Sequence, residues 1–187
     1  MAVELYRLDP SQCALLVVDI QENLMRVIDG AEEVTRNTVL LQKSANVLKV
    51  QQVATTQYVA RIGPLLPEVT AELGNVAPLD KVEFDCFGNG GIADAVKGLP
   101  AAVNTLIICG VETHICIYQT VLGALLAGYR VWVAADAVSS RKASNREIGL
   151  ARIREMGAVV ASTEMIIYEW LRKAGSPEFK ALLPFLK

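Results

Sequence analysis

The 187-residue chain is 52% hydrophobic and carries 18 Lys and Arg against 20 Asp and Glu, a net charge of -2. That length and apolar content suit one compact domain, residues 1–187, with a sizeable core, and the lack of a basic surplus argues against nucleic acid as a partner. The four cysteines form no CxxC pair and His114 is the only histidine, so no structural zinc site, redox pair, catalytic metal or cofactor is expected.

Along the chain, short β-branched runs alternate with longer helical patterns, the signature of a buried, mostly parallel sheet in an α/β layout. Residues 14–19 (Ala-Leu-Leu-Val-Val-Asp) read as a first strand that is apolar until it ends in Asp19. A helix follows over about 31–49, with Val34, Leu41, Ala45 and Leu48 at helical spacing. Residues 53–56 read as the second strand. The stretch after them, with Gly63, Pro64 and Pro67, and the segment around 78–84 are the least legible part of the chain. A short helix over 92–97 leads to a strand at 105–109, and a turn at Gly110 opens a helix from about His114 to Ala127, stopped by Gly128. Further strands at 131–136 and 158–162 alternate with helices at 143–156 and 163–173, and Ser176-Pro177 marks the start of a last helix. No apolar run approaches about 18 residues, so no membrane span is expected. The opening MAVELYRLDPSQ is mixed and polar, which together with the cysteine usage points to a cytoplasmic protein.

In open α/β sheets, ligands bind beyond the carboxyl ends of the strands, where crossovers leave on opposite faces. Asp19, Asp136 and the turn from Gly110 to Cys116 fall at such ends. Cys116 lies in the first turns of a helix, where free backbone N–H groups and the helix dipole favour a thiolate and can also receive an oxyanion. An enzymatic Cys116 is therefore expected to be thiolate-like near neutral pH. The same position also suits a small buried cysteine facing the sheet. Cys13 and Cys109 read as core, and Cys86 lies in the illegible region. His114, two residues before Cys116 on the same turn, points away from it and reads as a rim or packing residue. The base would then be a carboxylate, with Asp19 the acid hardest to explain by packing, although strand-end acids also cap loops. Asp136 carries the same ambiguity.

Three segments together resemble the isochorismatase-like cysteine hydrolase superfamily. They are residues 15–21 (LLVVDIQ), Lys81 with the following Val-Glu-Phe84, and residues 107–116 (IICGVETHIC) running on to Gln119 and Thr120. The resemblance covers about residues 12–173 and implies a three-layer α/β/α, doubly wound, Rossmann-like sheet. It also implies a triad of Asp19, Lys81 and Cys116. Asp19 would take the thiol proton, Lys81 would hold and tune the pair, and Cys116 would attack a carbonyl to give a thioester that water hydrolyses. A cis peptide between Val111 and Glu112 is implied as well, with the N–H groups of Glu112 and Cys116 as oxyanion hole and Gln21, Phe84 and Glu112 around the substrate.

Two departures narrow the expectation. Nicotinamidases of this superfamily bind a metal through an aspartate and a histidine, whose positions here hold Gln57 and Val59. True isochorismatases lack the nucleophilic cysteine, so Cys116 argues for acyl transfer. The chain most resembles the isochorismatase domain-containing proteins, and that likeness implies a metal-independent amidohydrolase acting on a small amide or related acyl compound, assembled as a homo-oligomer. Glu112 beside the nucleophile is expected to repel anionic substrates. The alternative is a protein that keeps the fold but works by interaction or thiol sensing without turnover.

Overall fold

The computed structural model describes residues 6–186. Among the described residues, six strands form one parallel sheet in the order β3-β2-β1-β4-β5-β6. In chain order the elements are β1 (Cys13–Val18), α1 (Glu22–Met25), α2 (Ala31–Leu48), β2 (Gln51–Gln57), α3 (Val59–Ile62), α4 (Pro67–Ala71), β3 (Leu79–Lys81) and α5 (Gly90–Lys97). They continue with β4 (Thr105–Val111), α6 (Tyr118–Leu126), β5 (Arg130–Ser139), α7 (Ala143–Glu155), β6 (Val159–Ala161), α8 (Thr163–Leu171) and α9 (Pro177–Leu182). No described helix is long and apolar enough to cross a membrane.

The continuous apolar runs are strands buried on both faces. In β1, Cys13, Leu15 and Val17 feed one core while Ala14, Leu16 and Val18 feed the other, as the two-residue period of a strand requires. Val34, Leu41 and Ala45 of α2 and Ile166, Ile167 and Trp170 of α8 cover the first face. Ile92 and Val96 of α5, Val121 and Ala124 of α6 and Ile153 of α7 cover the second. This is the expected three-layer, doubly wound arrangement. The crossover from β1 to β2 and the crossover from β4 to β5 lie on opposite faces, so the order reverses between the neighbours β1 and β4. The crevice that such a reversal opens is bordered by Asp19, just after β1, and by the turn carrying Cys116, just after β4.

The cap expected at Ser176 is present, and Asn89 caps α5, which starts at Gly90, two residues before the expected Ile92. Ser176, ahead of Pro177, accepts from Phe179 N–H at 3.0 Å, and Asn89 accepts from Ile92 N–H at 3.2 Å. Three expectations are corrected. The strand read as ending at Asp136 runs on to Ser139, because an irregularity in the β4–β5 pairing inserts extra residues between Val133 and Val138. The illegible middle contains two short helices and a three-residue edge strand. The helix expected from His114 begins instead as a π-helical turn (Thr113–Ile117) before α6.

Candidate active site

Asp19 sits just past β1 with a left-handed φ of 55°, a conformation that aspartate tolerates better than most residues. Its N–H reaches back to Thr55 O at 3.2 Å and its carbonyl accepts from Gln21 N–H at 2.8 Å. The carboxylate turns inward: Thr55 Oγ1 donates to Oδ1 at 2.8 Å and Lys81 Nζ donates to Oδ2 at 2.6 Å. Both side chains of the Asp19–Lys81 pair are 0% exposed. Taking two charges out of water costs several kcal/mol per ion, offset only when hydrogen bonds occupy their remaining donors and acceptors. Thr55 does this for Asp19, and Gln57 Oε1 does it for Lys81 Nζ at 2.7 Å. Burial works to lower the Lys81 pKa, but the Asp19 charge, the charge that Cys116 and Cys86 carry when ionised, and the hydrogen bond to Asp19 together hold the ammonium above its ordinary value.

On the other side of the crevice, β4 passes so close to β1 at Gly110 that a Cβ there would lie 1.9 Å from Val18 O, and φ is 125°. Only glycine meets both conditions. The Val111–Glu112 peptide is cis, and the π-helical turn follows. The Glu112 carbonyl accepts from Ile115 N–H at 3.0 Å and Ile117 N–H at 3.2 Å, the residues on either side of Cys116. Behind this turn, Gly149 lets α7 approach closely, since a Cβ there would sit 3.1 Å from the His114 backbone.

Cys116 is 7% exposed, the most accessible of four free thiols. Burial pushes its pKa up to about 12; the Asp19 charge and a hydrogen bond to Asp19 push the same way, and Lys81 pulls down without prevailing. This direction runs against the expectation of a thiolate near neutral pH. The partial charge at a helix start is smaller than the combined cost of desolvation and an adjacent carboxylate. In that direction the thiol keeps its proton, and the hydrogen bond to Asp19 aims it at a base. Cys86 shares this neighbourhood: its N–H donates to Thr120 Oγ1 at 3.1 Å, its thiol bonds to Thr120 and Thr55, and burial pushes it to about 11.

The residues expected around the substrate fare differently. Gln21 is 0% exposed and its carboxamide is spent on backbone, donating to Gln57 O at 3.1 Å and Gly63 O at 2.6 Å and accepting from Gln57 N–H at 2.7 Å. It clamps the end of β2 instead of offering an amide to a ligand. Phe84 is 51% exposed on the segment between Lys81 and Cys86. Glu112 is buried, but its carboxylate accepts from Arg141 N–H at 2.8 Å and Arg141 Nε at 3.1 Å. The expected repulsion of anions is therefore corrected, because Arg141 compensates the charge. His114 is held between Ser140 Oγ at 2.9 Å and Asn145 Nδ2 at 3.2 Å. Both ring nitrogens are thus engaged by side chains of the β5–α7 connection and α7. Asp136 accepts from Thr163 N–H at 2.7 Å and Thr163 Oγ1 at 2.9 Å, tying β5 to the start of α8.

The sequence does not single out Thr55, buried in β2, and marks Gln57, at the end of β2, only as standing where nicotinamidases place a metal ligand. The signal that marks Asp19, a polar residue closing an inward-facing strand, is present at both. At the two positions where nicotinamidases place metal ligands, Gln57 is bonded to Lys81 and Val59 presents an apolar side chain, a donor set unsuited to a cation.

Comparison with known proteins places this geometry in context. The isochorismatase domain profile matches residues 13–165. The chain is 35% identical over 184 residues to the secreted isochorismatase effector Isc1 of Phytophthora sojae, covering 97% of this chain and 87% of that protein. Among solved structures it is similar to the MAR1 ribonuclease of Caenorhabditis elegans, with 28% identity, a TM-score of 0.90 and coverage of 97% and 92% of the two chains. YcaC from Pseudomonas aeruginosa, determined with hexane-2,5-diol and covalent acrylamide, is 26% identical with a TM-score of 0.90 over 98% and 93% of the chains. YcaC from Escherichia coli, an octameric hydrolase of unknown specificity, is 25% identical with a TM-score of 0.89 over 97% and 92%.

Proposed function

The chain belongs to the isochorismatase domain family, and from that premise we propose that it hydrolyses a small amide or related acyl compound through a Cys116–Asp19–Lys81 triad. The observation that carries this reading is the fully buried 2.6 Å contact between Lys81 Nζ and Asp19 Oδ2, set beside a thiol whose proton Asp19 accepts. Perturbed groups converging at a strand-end crevice are the pattern of a catalytic site.

In the proposed reaction, Asp19 takes the Cys116 proton as sulfur attacks the carbonyl carbon, so the resting thiol need not ionise beforehand. The oxyanion is received by the N–H groups of Glu112 and Cys116. Collapse breaks the C–N bond, and the amine leaves with the proton held by Asp19. Water then attacks the thioester, Asp19 takes its proton and returns it to sulfur, and the acid departs. Lys81 keeps Asp19 oriented throughout and offsets the negative charge of the cluster.

The covalent acrylamide in the Pseudomonas aeruginosa relative supports a nucleophile that small amide-bearing electrophiles can reach, and the octameric Escherichia coli relative supports assembly of this chain as a homo-oligomer. The ribonuclease name belongs to the Caenorhabditis elegans protein. Here a net charge of -2, and a lone imidazole committed to Ser140 and Asn145, favour a small-molecule substrate. The test is a panel of small amides and thioesters followed by product release and by intact mass, on the wild type, Cys116→Ala and Asp19→Asn. An acyl adduct on Cys116, with turnover lost in both variants, is the expected result. Turnover that survives Cys116→Ala, or none by the wild type across the panel, overturns the reading.

A further inference from the structure

The Gln57 carboxamide makes two side-chain contacts, both within the cluster. Its Oε1 accepts from Lys81 Nζ at 2.7 Å and its Nε2 donates to Val82 O at 2.9 Å. This orientation is dictated by chemistry, because the ammonium can only donate and the carbonyl can only accept. The Gln57 backbone is fixed in turn, with its N–H and C=O both bound to the Gln21 side chain. Gln21 N–H donates to Asp19 O at 2.8 Å. The hydrogen bonds therefore close a ring: Asp19 to Gln21, Gln21 to Gln57, Gln57 to Lys81, and Lys81 back to Asp19.

We propose that Gln57 is a positioning residue of the site, holding the Lys81 ammonium between two acceptors so that its third hydrogen is left for the negative charge that develops around Cys116. This rests on the hydrolase reading above. An ammonium has three hydrogens; Asp19 and Gln57 take two of them. Without Gln57, Lys81 could rotate about its last bonds and spend its charge on Asp19 alone, which would leave sulfur with burial and a carboxylate opposing its ionisation. The neutrality of Gln57 matters as much as its length. A glutamate here would set an anion against the Val82 carbonyl and add negative charge beside the thiol. Protonated glutamic acid, in contrast, reproduces both contacts, with its C=O accepting from Lys81 and its O–H donating to Val82.

The test uses acrylamide and iodoacetamide as probes, with adducts at each cysteine read by mass spectrometry from pH 5.5 to 9 on the folded wild type, Gln57→Leu and Gln57→Glu. Gln57→Leu is expected to slow modification of Cys116 by about tenfold or more at every pH, the scale of a lost hydrogen bond to a charged group. Gln57→Glu is expected to match the wild type within about twofold at the acid end and to fall about tenfold behind at pH 9, as one added anion raises the thiol pKa by about a unit. A merely structural role would not give a ratio of rates that changes with pH. If Gln57→Leu does not fold, the Gln57→Glu profile decides alone. A flat ratio, or wild-type rates in both variants, overturns the proposal and leaves the hydrolase reading standing. Wild-type Cys116 reacting no faster than Cys13 and Cys109 overturns the proposal as well, whereas the hydrolase reading falls only with the loss of turnover tested above.

Discussion

Lys81 Nζ lies 2.6 Å from Asp19 Oδ2 with neither side chain open to solvent, so each residue is the other's main compensation for burial. Removing one partner leaves the other as an unpaired buried charge. Lys81→Met is therefore expected to destabilise the fold by about 3–5 kcal/mol in urea denaturation. The double variant Asp19→Asn/Lys81→Met should recover much of that loss, because it removes both charges together. A single variant as stable as the wild type would mean that water reaches the pair.

The Cys116 thiol, pushed to about 12 by burial and then by Asp19, should be alkylated at a rate that climbs about tenfold per pH unit from 7 past 9 with no neutral plateau. Asp19→Asn removes two of the causes that raise the thiol while Lys81 still pulls it down. Its alkylation should begin at lower pH than in the wild type, even as hydrolysis is lost. Reactivity and turnover would then part company, as expected when Asp19 is a base that must hold the thiol proton until attack. A wild-type plateau below pH 8 would show that Lys81 outweighs burial and the carboxylate.

What could be read from the chain alone follows from how many residues carry each signal. β1 and β4 declare themselves through unbroken apolar runs buried on both faces, and the reversal point between them directs attention to Asp19 and Cys116. β3 does not, because it is three residues long with only Lys81 buried, too short for any period to register. The extension of β5 to Ser139 was hidden because extra residues in one strand leave no mark on an apolar sequence. Gln21 looked like a ligand contact because a buried amide reads the same whether it meets a substrate or backbone. Gln57 was legible in kind but not in role, since its importance depends on the end of β3 lying beside it.

Gly110 tests how tightly the two sides of the crevice are joined. With φ of 125° and Val18 O only 1.9 Å from an added Cβ, Gly110→Ala must part β1 from β4 at the crevice. More than about 4 kcal/mol of destabilisation, or failure to fold, is expected. Gly149→Ala, whose Cβ would meet the His114 backbone at 3.1 Å, should fold. It should also slow Cys116 alkylation relative to the other thiols, because the displaced segment is the turn that holds Cys116. Folded, unaltered Gly110→Ala would contradict the β1–β4 approach.

The buried thiols also govern stability in alkali. Cys13 and Cys86 are raised to about 11, and Cys109 and Cys116 to about 12, in each case by burial first, from an ordinary 9.0. The folded chain keeps these protons after the unfolded chain has released them, so their contribution is fully present below pH 9.0 and is lost as pH rises towards 11–12. Lys81, held above 10.5, acts in the same direction at the upper end of that window. Unfolding free energy should be nearly flat in these groups up to pH 8.5 and then fall, with each thiol contributing a slope of about 1.4 kcal/mol per pH unit once its unfolded form is ionised. Urea titrations at pH 7.5, 8.5, 9.5 and 10.5 measure it. Cys109→Ala, which removes one such proton from the core, should make the decline shallower while lowering stability at pH 7.5; an unchanged slope would mean that the thiol ionises as readily in the folded chain as in the unfolded one.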